Sequence, residues 1–385
     1  MVFTGTPLAK ARAERFRTLN ERKGGWVMRR ASVVLLIIIL SCAGVATAGS
    51  GNNAETIEAI QPHILHLKLK ADDLRTIAGK QVVTQSLSSK NSKVLAGLAV
   101  ALADGTPGAF VESYKSLDAL HKSPYVLEAG KFGSTPSVED LARLTIEEKD
   151  LYALFKAKPG DSDIKLSDQE IARVRAVAGQ ARFTQQVKTQ LSAEYKKLLV
   201  ERVKAYIAGR QALGVFADKD KPVDAQEAFA SLAGEQKEAA GHCSHLYTHL
   251  DSYAAAAPPD SESFIYWAKQ KFGDAKPVLS LVHVLVHNDG ERVFIASKQI
   301  YSSHYTEAAL SVAELIHFKD AVGNSHTVIA YTIRLQADML GGTLGFMKKR
   351  MAQPRFLGTL KESINGLRTN MEALSRDSNP PRAGF

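Results

Sequence analysis

Cysteine is nearly absent from this 385-residue chain: two residues, Cys42 and Cys243. That scarcity excludes a disulfide-stapled scaffold and zinc modules built on paired Cys-x-x-Cys ligands. Tryptophan is equally scarce, at Trp26 and Trp267. No internal repeat or long low-complexity tract occurs, which excludes solenoids and collagen-like chains. Several chemical signatures are missing as well. There is no Gly-x-Ser-x-Gly elbow, no Gly-x-x-x-x-Gly-Lys phosphate loop and no Gly-x-Gly-x-x-Gly turn, so hydrolase, kinase and dehydrogenase readings have no motif to rest on.

The longest apolar run, Val33 to Leu40, belongs to a leader. Arg29-Arg30 precede it and Ala46-Thr47-Ala48 follow it, the three parts of a secretory signal. Met28 directly before Arg29 is the expected start, and cleavage after Ala48 the expected processing. The run is too short to cross a hydrocarbon core, which takes roughly 20 residues. Ile39-Leu40-Ser41-Cys42 offers an alternative, a lipobox placing a diacylglycerol on Cys42. The chain is therefore read as exported, periplasmic or extracellular, with a membrane-anchored lipoprotein as the alternative.

Removing the leader changes the charge argument. The whole chain carries 49 Lys+Arg against 40 Asp+Glu, a net +9. Eight of those bases and two of those acids lie in residues 1–48, leaving 41 against 38, or +3. The basicity is mostly the leader's, and a nucleic-acid partner is not indicated. Membrane contact is expected only through the signal peptide or a lipid anchor. The same cut leaves Cys243 alone, a small buried hydrophobe in its simplest reading.

Periodicity divides the rest. Within 49–135, Val94 to Leu102 reads as a strand, the turn formers Asp104 to Gly108 follow, and Phe110, Tyr114, Leu117 and Leu120 recur at helical spacing. Tyr125 to Phe132 is a second strand. Residues 136–262 read as an inserted helical subdomain. Ser137/Asp140, Thr145/Glu148 and Ser167/Glu170 have capping-box spacing. Its longest helix, Thr184 to Ala212, carries the stripe Val187, Leu191, Tyr195, Leu198, Val203 and Ile207. In 263–376 the period drops to two at Val278. Leu279 to His287 and Arg292 to Ile300 form a hairpin around Asn288-Asp289-Gly290, and Tyr305 to Phe318 with Thr327 to Gln336 another. A final helix carries Phe356, Leu360, Ile364, Leu367, Met371 and Leu374 at steps of three and four. Residues 377–385 read as a disordered tail. The fold class is α+β: an antiparallel curved sheet, a long C-terminal helix and the helical insertion.

Three clusters could carry chemistry. His242, His245 and His249 fall on one helix face, and would hold zinc or a similar ion if they hold any; no cofactor is otherwise indicated. His283 and His287 share a strand face with Leu285. The run Ser297 to Tyr305 packs a lysine, a histidine, two tyrosines and three serines into nine residues. Lys298, Tyr301, His304 and Tyr305, with Arg334 and the helix residues Phe356, Leu360 and Ile364, are the expected pocket; no residue is assigned a catalytic role. Arg334, on an otherwise apolar strand, needs a partner if buried, for which Glu307, Glu314 and Asp338 are candidates. Trp267 is expected to anchor the helical segment to the sheet.

Trp267-Ala268-Lys269-x-x-Phe272-Gly273, Lys276-Pro277-Val278 and Ser297 to Tyr305 resemble segments of a group of uncharacterised bacterial secreted proteins. The matching parts are Lys115 to Leu144 and Trp267 to Gly345. Relatives in that group often place cysteines around Lys158 to Asp163; this chain has none there, so a disulfide or metal at that stretch does not carry over. The element order is more distantly similar to helix-grip, START-like lipid-binding folds, from which the insertion departs. That resemblance implies an apolar or lipid-like ligand held between sheet and C-terminal helix. The alternatives are a metal-dependent secreted enzyme using the histidine face, and an envelope protein that binds a partner through the Thr184 to Ala212 helix.

Overall fold

The computed structural model describes residues 53–378 apart from 122, 161, 180–181, 210–214, 218–221, 240–243, 254, 272–274, 291 and 343. In chain order, α1 (Asn53–Ile64) and α2 (Ala71–Ala78) lead into β1 (Val83–Ser86) and β2 (Val94–Asp104). Helices α3 (Gly108–Lys115) and α4 (Asp118–His121) precede β3 (Val126–Lys131). The helical stretch holds α5 (Glu148–Lys156), α6 (Asp168–Ala178), α7 (Gln185–Ile207), a two-residue ribbon of β4 (Phe216–Ala217) and β5 (Pro222–Val223), α8 (Ala225–Ala239) and α9 (Ser244–Asp251). Strands β6 (Ser261–Gln270), β7 (Val278–Asn288), β8 (Arg292–Ser302), β9 (Thr306–Lys319) and β10 (Ser325–Ala337) follow, and α10 (Gly345–Ser378) ends the described chain.

Eight strands form one antiparallel sheet in the order β1-β2-β10-β9-β8-β7-β6-β3. The α+β class, the antiparallel sheet and the long C-terminal helix are as read from the sequence. The meander β6 to β10 is local in sequence, and the earlier strands β2 and β3 close on its two sides. Gly290 takes φ +96° in the β7–β8 turn, the conformation for which glycine pays no Cβ penalty.

The sheet is buried on both faces, which is why β7 reads as a nearly continuous apolar run. One face holds Leu95, Ala99, Val284 and Ile333 under α10, with Phe110 and Tyr114 of α3 beside them. Gly97 lets α10 approach: a Cβ there would sit 3.0 Å from both Leu360 and Phe356. The opposite face lies under the helical stretch. Trp267, Leu281 and Ile300 pack with Leu191, Leu198 and Val203 of α7, while Leu285 and Leu310 pack with Phe229 and Leu246 of α8 and α9. At the β1–β2 side, α1 and α2 cover Leu98, Val100 and Val328.

The helical segment is thus a second layer over the sheet. Trp267 joins the two, its Nε1 donating to the Asp140 carbonyl at 2.9 Å. Strand β6 is not among the strands read from the sequence, where period two begins at Val278; it pairs along its length with β7. Its two faces both carry apolar or aromatic residues, so alternation is masked by burial on both sides. The Ser167/Glu170 box forms. The Thr145/Glu148 box does not: α5 starts at Glu148 with Glu147 as its cap, and Thr145 instead donates to Glu128. A carboxylate across the chain outcompetes the local one.

Candidate functional site

The residues expected to line one pocket lie on opposite faces of the sheet. Phe356, Leu360 and Ile364 belong to the core under α10 and are 3, 0 and 0% exposed. A cavity long enough for a lipid chain would leave its lining with accessible surface, and these side chains have almost none. Lys298, Tyr301, His304 and Arg334 project to the helical layer. Alternation explains the split, since Ser297 neighbours Tyr114 on the α10 side while Lys298 meets Gln226 and Phe229 on the other. Tyr305, at φ 63°, turns the chain between β8 and β9 and packs at the border of the α10 core. Arg334 pairs with none of the three expected acids. Its Nη1 meets Glu235 at 2.8 Å and its Nε donates to Gln236 at 3.0 Å, because α8 lies over that part of β10.

On the helical side, α7 lays a line of polar side chains along β7 and β8. At one end Tyr195 and Tyr301 share a hydrogen bond of 2.8 Å. Arg202, one 7-residue step further, stacks 4.3 Å from the Tyr301 ring centre and donates from Nε to Glu170 at 2.7 Å. Burial pushes both tyrosines above the ordinary phenol range. His304 stands beside this group, with Nδ1 2.8 Å from the Asp163 carbonyl and Nε2 3.1 Å from Asp150. A narrow cleft of about 10 Å³, lined by Asp150, Tyr195, Lys269 and Ser303 among others, opens next to it. That is room for one water.

At the other end, Tyr206 donates to the Leu250 carbonyl at 2.9 Å and lies 2.8 Å from His283 Nδ1. The hydroxyl has spent its proton on a carbonyl, so Nδ1 of His283 carries a hydrogen and donates back. Nε2 then accepts from Ser263 at 2.9 Å. Burial, with His249 and Lys298 nearby, holds His283 well below the usual imidazole value, which fits this neutral tautomer.

Lys298 pairs with His283 across the strands and is 0% exposed. Its Nζ reaches the Asp251 carbonyl at 3.2 Å and Gln226 Oε1 at 3.4 Å, both long contacts, and sits 4.0 Å from the Phe229 ring centre. Among the described residues no carboxylate oxygen lies within 4 Å of it. Burial lowers its pKa to about 8, with Asp251 opposing the shift. His249, 4% exposed, gives Nδ1–H to the Ala255 carbonyl at 2.8 Å, and its Nε2 has no hydrogen-bond partner. Its ring lies 5.3 Å from that of His283. Two under-satisfied groups, one cation and one acceptor, therefore flank the same neutral histidine. Tyr253 and Gln226 are partly buried and Asp251 is exposed, so this end of the line is one side-chain layer from solvent.

The chemistry-bearing residues not singled out in the sequence are Asp150, Arg202, Tyr206, Gln226, Tyr253 and Ser263. Tyr206 had a signal: it stands four residues after Arg202 and three after Val203, on the buried side of α7. Of the expected zinc ligands, His242 lies outside the described residues, as does the side chain of His245; Cys42, the alternative lipidation site, and Cys243 lie outside them too. Among the described residues, no three His, Cys, Asp or Glu side chains are placed to hold a metal ion. No described helix is long and apolar enough to cross a membrane. No protein-family model matches the chain, and no curated protein matches it either.

Proposed function

We propose that the chain is an extracytoplasmic binding protein for a small carboxylic acid with an apolar body, bound at the Lys298 end of the polar line between α7 and the sheet. The leader Arg29 to Ala48 supports the compartment. The observation that carries the ligand class is Lys298 itself. A buried ammonium without a carboxylate in reach is costly, and an acid supplies what it lacks. The carboxylate accepts from Lys298, the acid's proton goes to His249 Nε2, and the resulting imidazolium becomes a second donor. Phe229, Tyr206 and Leu250 offer an apolar surround for the rest of the molecule. Both faces are closely packed, Phe229, Tyr206 and Leu250 being 1, 5 and 0% exposed, so the under-satisfied Lys298, and not open space, is what moves the apolar-ligand reading to this face; the acid enters by displacing the partly buried Gln226 and Tyr253 side chains.

Octanoate titrated into the protein by calorimetry tests this. Binding should weaken at least tenfold in Lys298→Met and should take up protons from the buffer in the wild type when the free acid is the species bound. Equal octanoate binding by wild type and Lys298→Met, or none by the wild type, would remove the proposal.

A further inference from the structure

The first turns of α10, with Leu344 just before them, present apolar side chains to solvent. Leu344, Phe346, Met347 and Met351 are 58, 71, 59 and 47% exposed, and Met347 and Met351 stand one turn apart. Elsewhere on α10 the apolar residues Phe356, Leu360 and Ile364 are buried, so amphipathic packing against the sheet does not explain these four. Their charge setting is one-sided. From Gly341 to Lys361 the chain has five bases, Lys348, Lys349, Arg350, Arg355 and Lys361, and no acid. Lys348 Nζ is held on the Gly341 carbonyl at 3.0 Å and Lys349 faces Glu235, whereas Arg350, Arg355 and Lys361 are exposed.

This arrangement opposes what the helix alone would favour. The amino-terminal end of a helix carries a partial positive charge that acids stabilise and bases do not, yet the first turn of α10 has no acid. Met347, Arg350, Met351, Arg355 and Lys361 nonetheless recur along one outward stripe, apolar and basic residues intermixed. An apolar stripe rimmed by cations fits one kind of surface, where acyl chains meet negative headgroups.

We propose that the amino-terminal half of α10 docks on the surface of an anionic lipid bilayer, with Phe346, Met347 and Met351 at the acyl boundary and Arg350, Arg355 and Lys361 among the headgroup phosphates. The docking is peripheral and independent of the ligand site at Lys298, which lies on the opposite face of the sheet.

The test uses the full chain with Phe346→Trp and phosphatidylcholine vesicles brominated on their acyl chains, with and without phosphatidylglycerol. The introduced indole should add quenching over the wild-type signal on the phosphatidylglycerol vesicles, and little on phosphatidylcholine alone. Comparison with wild type removes any contribution of the apolar leader and of Trp26. Adding Arg350→Gln and Lys361→Gln should raise the lipid concentration needed by roughly thirtyfold, the equivalent of about 1 kcal/mol per base. No added quenching on the anionic vesicles overturns the proposal, as does quenching that the two Gln substitutions leave unchanged. So does an indole blue shift that grows with protein concentration without lipid, which would make a second copy of the chain the occupant.

Discussion

Lys298→Met should make the protein more stable at neutral pH, and the gain should shrink as the pH rises. The lysine titrates near 8 in the folded chain, against an ordinary value of 10.5. Between those values the unfolded state binds more protons than the folded one, so wild-type stability climbs with pH across that window. Below about 8 the full penalty is present. The distance from 10.5 to 8, at 1.36 kcal/mol for each tenfold in proton activity, makes it roughly 3 kcal/mol. By pH 10 most of it is gone, because the folded lysine has long been neutral and only about half a pH unit separates the unfolded one from its own midpoint. Methionine has a similar length and no charge to desolvate. Its stability advantage should therefore narrow by about 2 kcal/mol between pH 7 and pH 10.

The buried tyrosines define the upper edge of the useful range. Tyr206, Tyr266 and Tyr331 are held above the usual phenol value by burial. Their raised folded values favour the native state below about pH 10, and that contribution is lost as the pH rises further. Both proteins carry these tyrosines, so the difference between them cancels the term. Urea unfolding of both proteins, followed by circular dichroism at intervals from pH 7 to 10, supplies the difference curve. A flat curve would refute the reasoning, and so would a Lys298→Met protein less stable than wild type at pH 7. Either result would mean that the ammonium is adequately compensated where it lies and needs no anion.

Three further substitutions probe the frame around this site. Glu170→Gln should destabilise by about 3 kcal/mol in chemical unfolding, because it strips the carboxylate from Arg202, which is buried against Tyr301. Gly97→Ala should lower the thermal midpoint by the equivalent of about 1–3 kcal/mol, since the new methyl meets Leu360 and Phe356 of α10 at 3.0 Å. Leu360→Ala should cost about 2–5 kcal/mol by opening a hole in the same interface, and a loss near zero would mean that α10 is not seated on β2.

Much of the frame was legible because it obeys single-face rules. The hairpin Leu279 to Ile300 announces itself through alternation and Gly290, and α10 through steps of three and four running to Leu374. Trp267 as a joint between layers also follows from its being the one tryptophan left once the leader is removed, a large side chain with a polar handle. The misplacements share one cause. Phe264 to Gln270 and Ser297 to His304 are covered on both sides, so their alternation separates two buried environments instead of core from solvent. Polarity along such a strand says that a side chain has a partner, without saying on which side of the sheet. Lys298 and Ser297 are neighbours in the chain and face different helices. Arg334 similarly chose Glu235, about a hundred residues away, over three nearer acids, because the register of α8 on β10 is a tertiary fact.

The same double coverage explains why the polar line is affordable and why it points to function. A sheet with one wet face could have left Lys298 and His283 in water at no cost. Here α7, α8 and α9 bring Tyr195, Arg202, Tyr206 and Phe229 down onto them, and nearly every polar atom along the line acquires a partner through that packing. Arg202 has Glu170, His304 has Asp150, and His283 has both Tyr206 and Ser263. Selection for stability alone would treat Lys298 and His249 in the same way, or replace them with apolar residues. On the helical side these exceptions adjoin one another around His283, which is the arrangement the proposed acid-binding site needs.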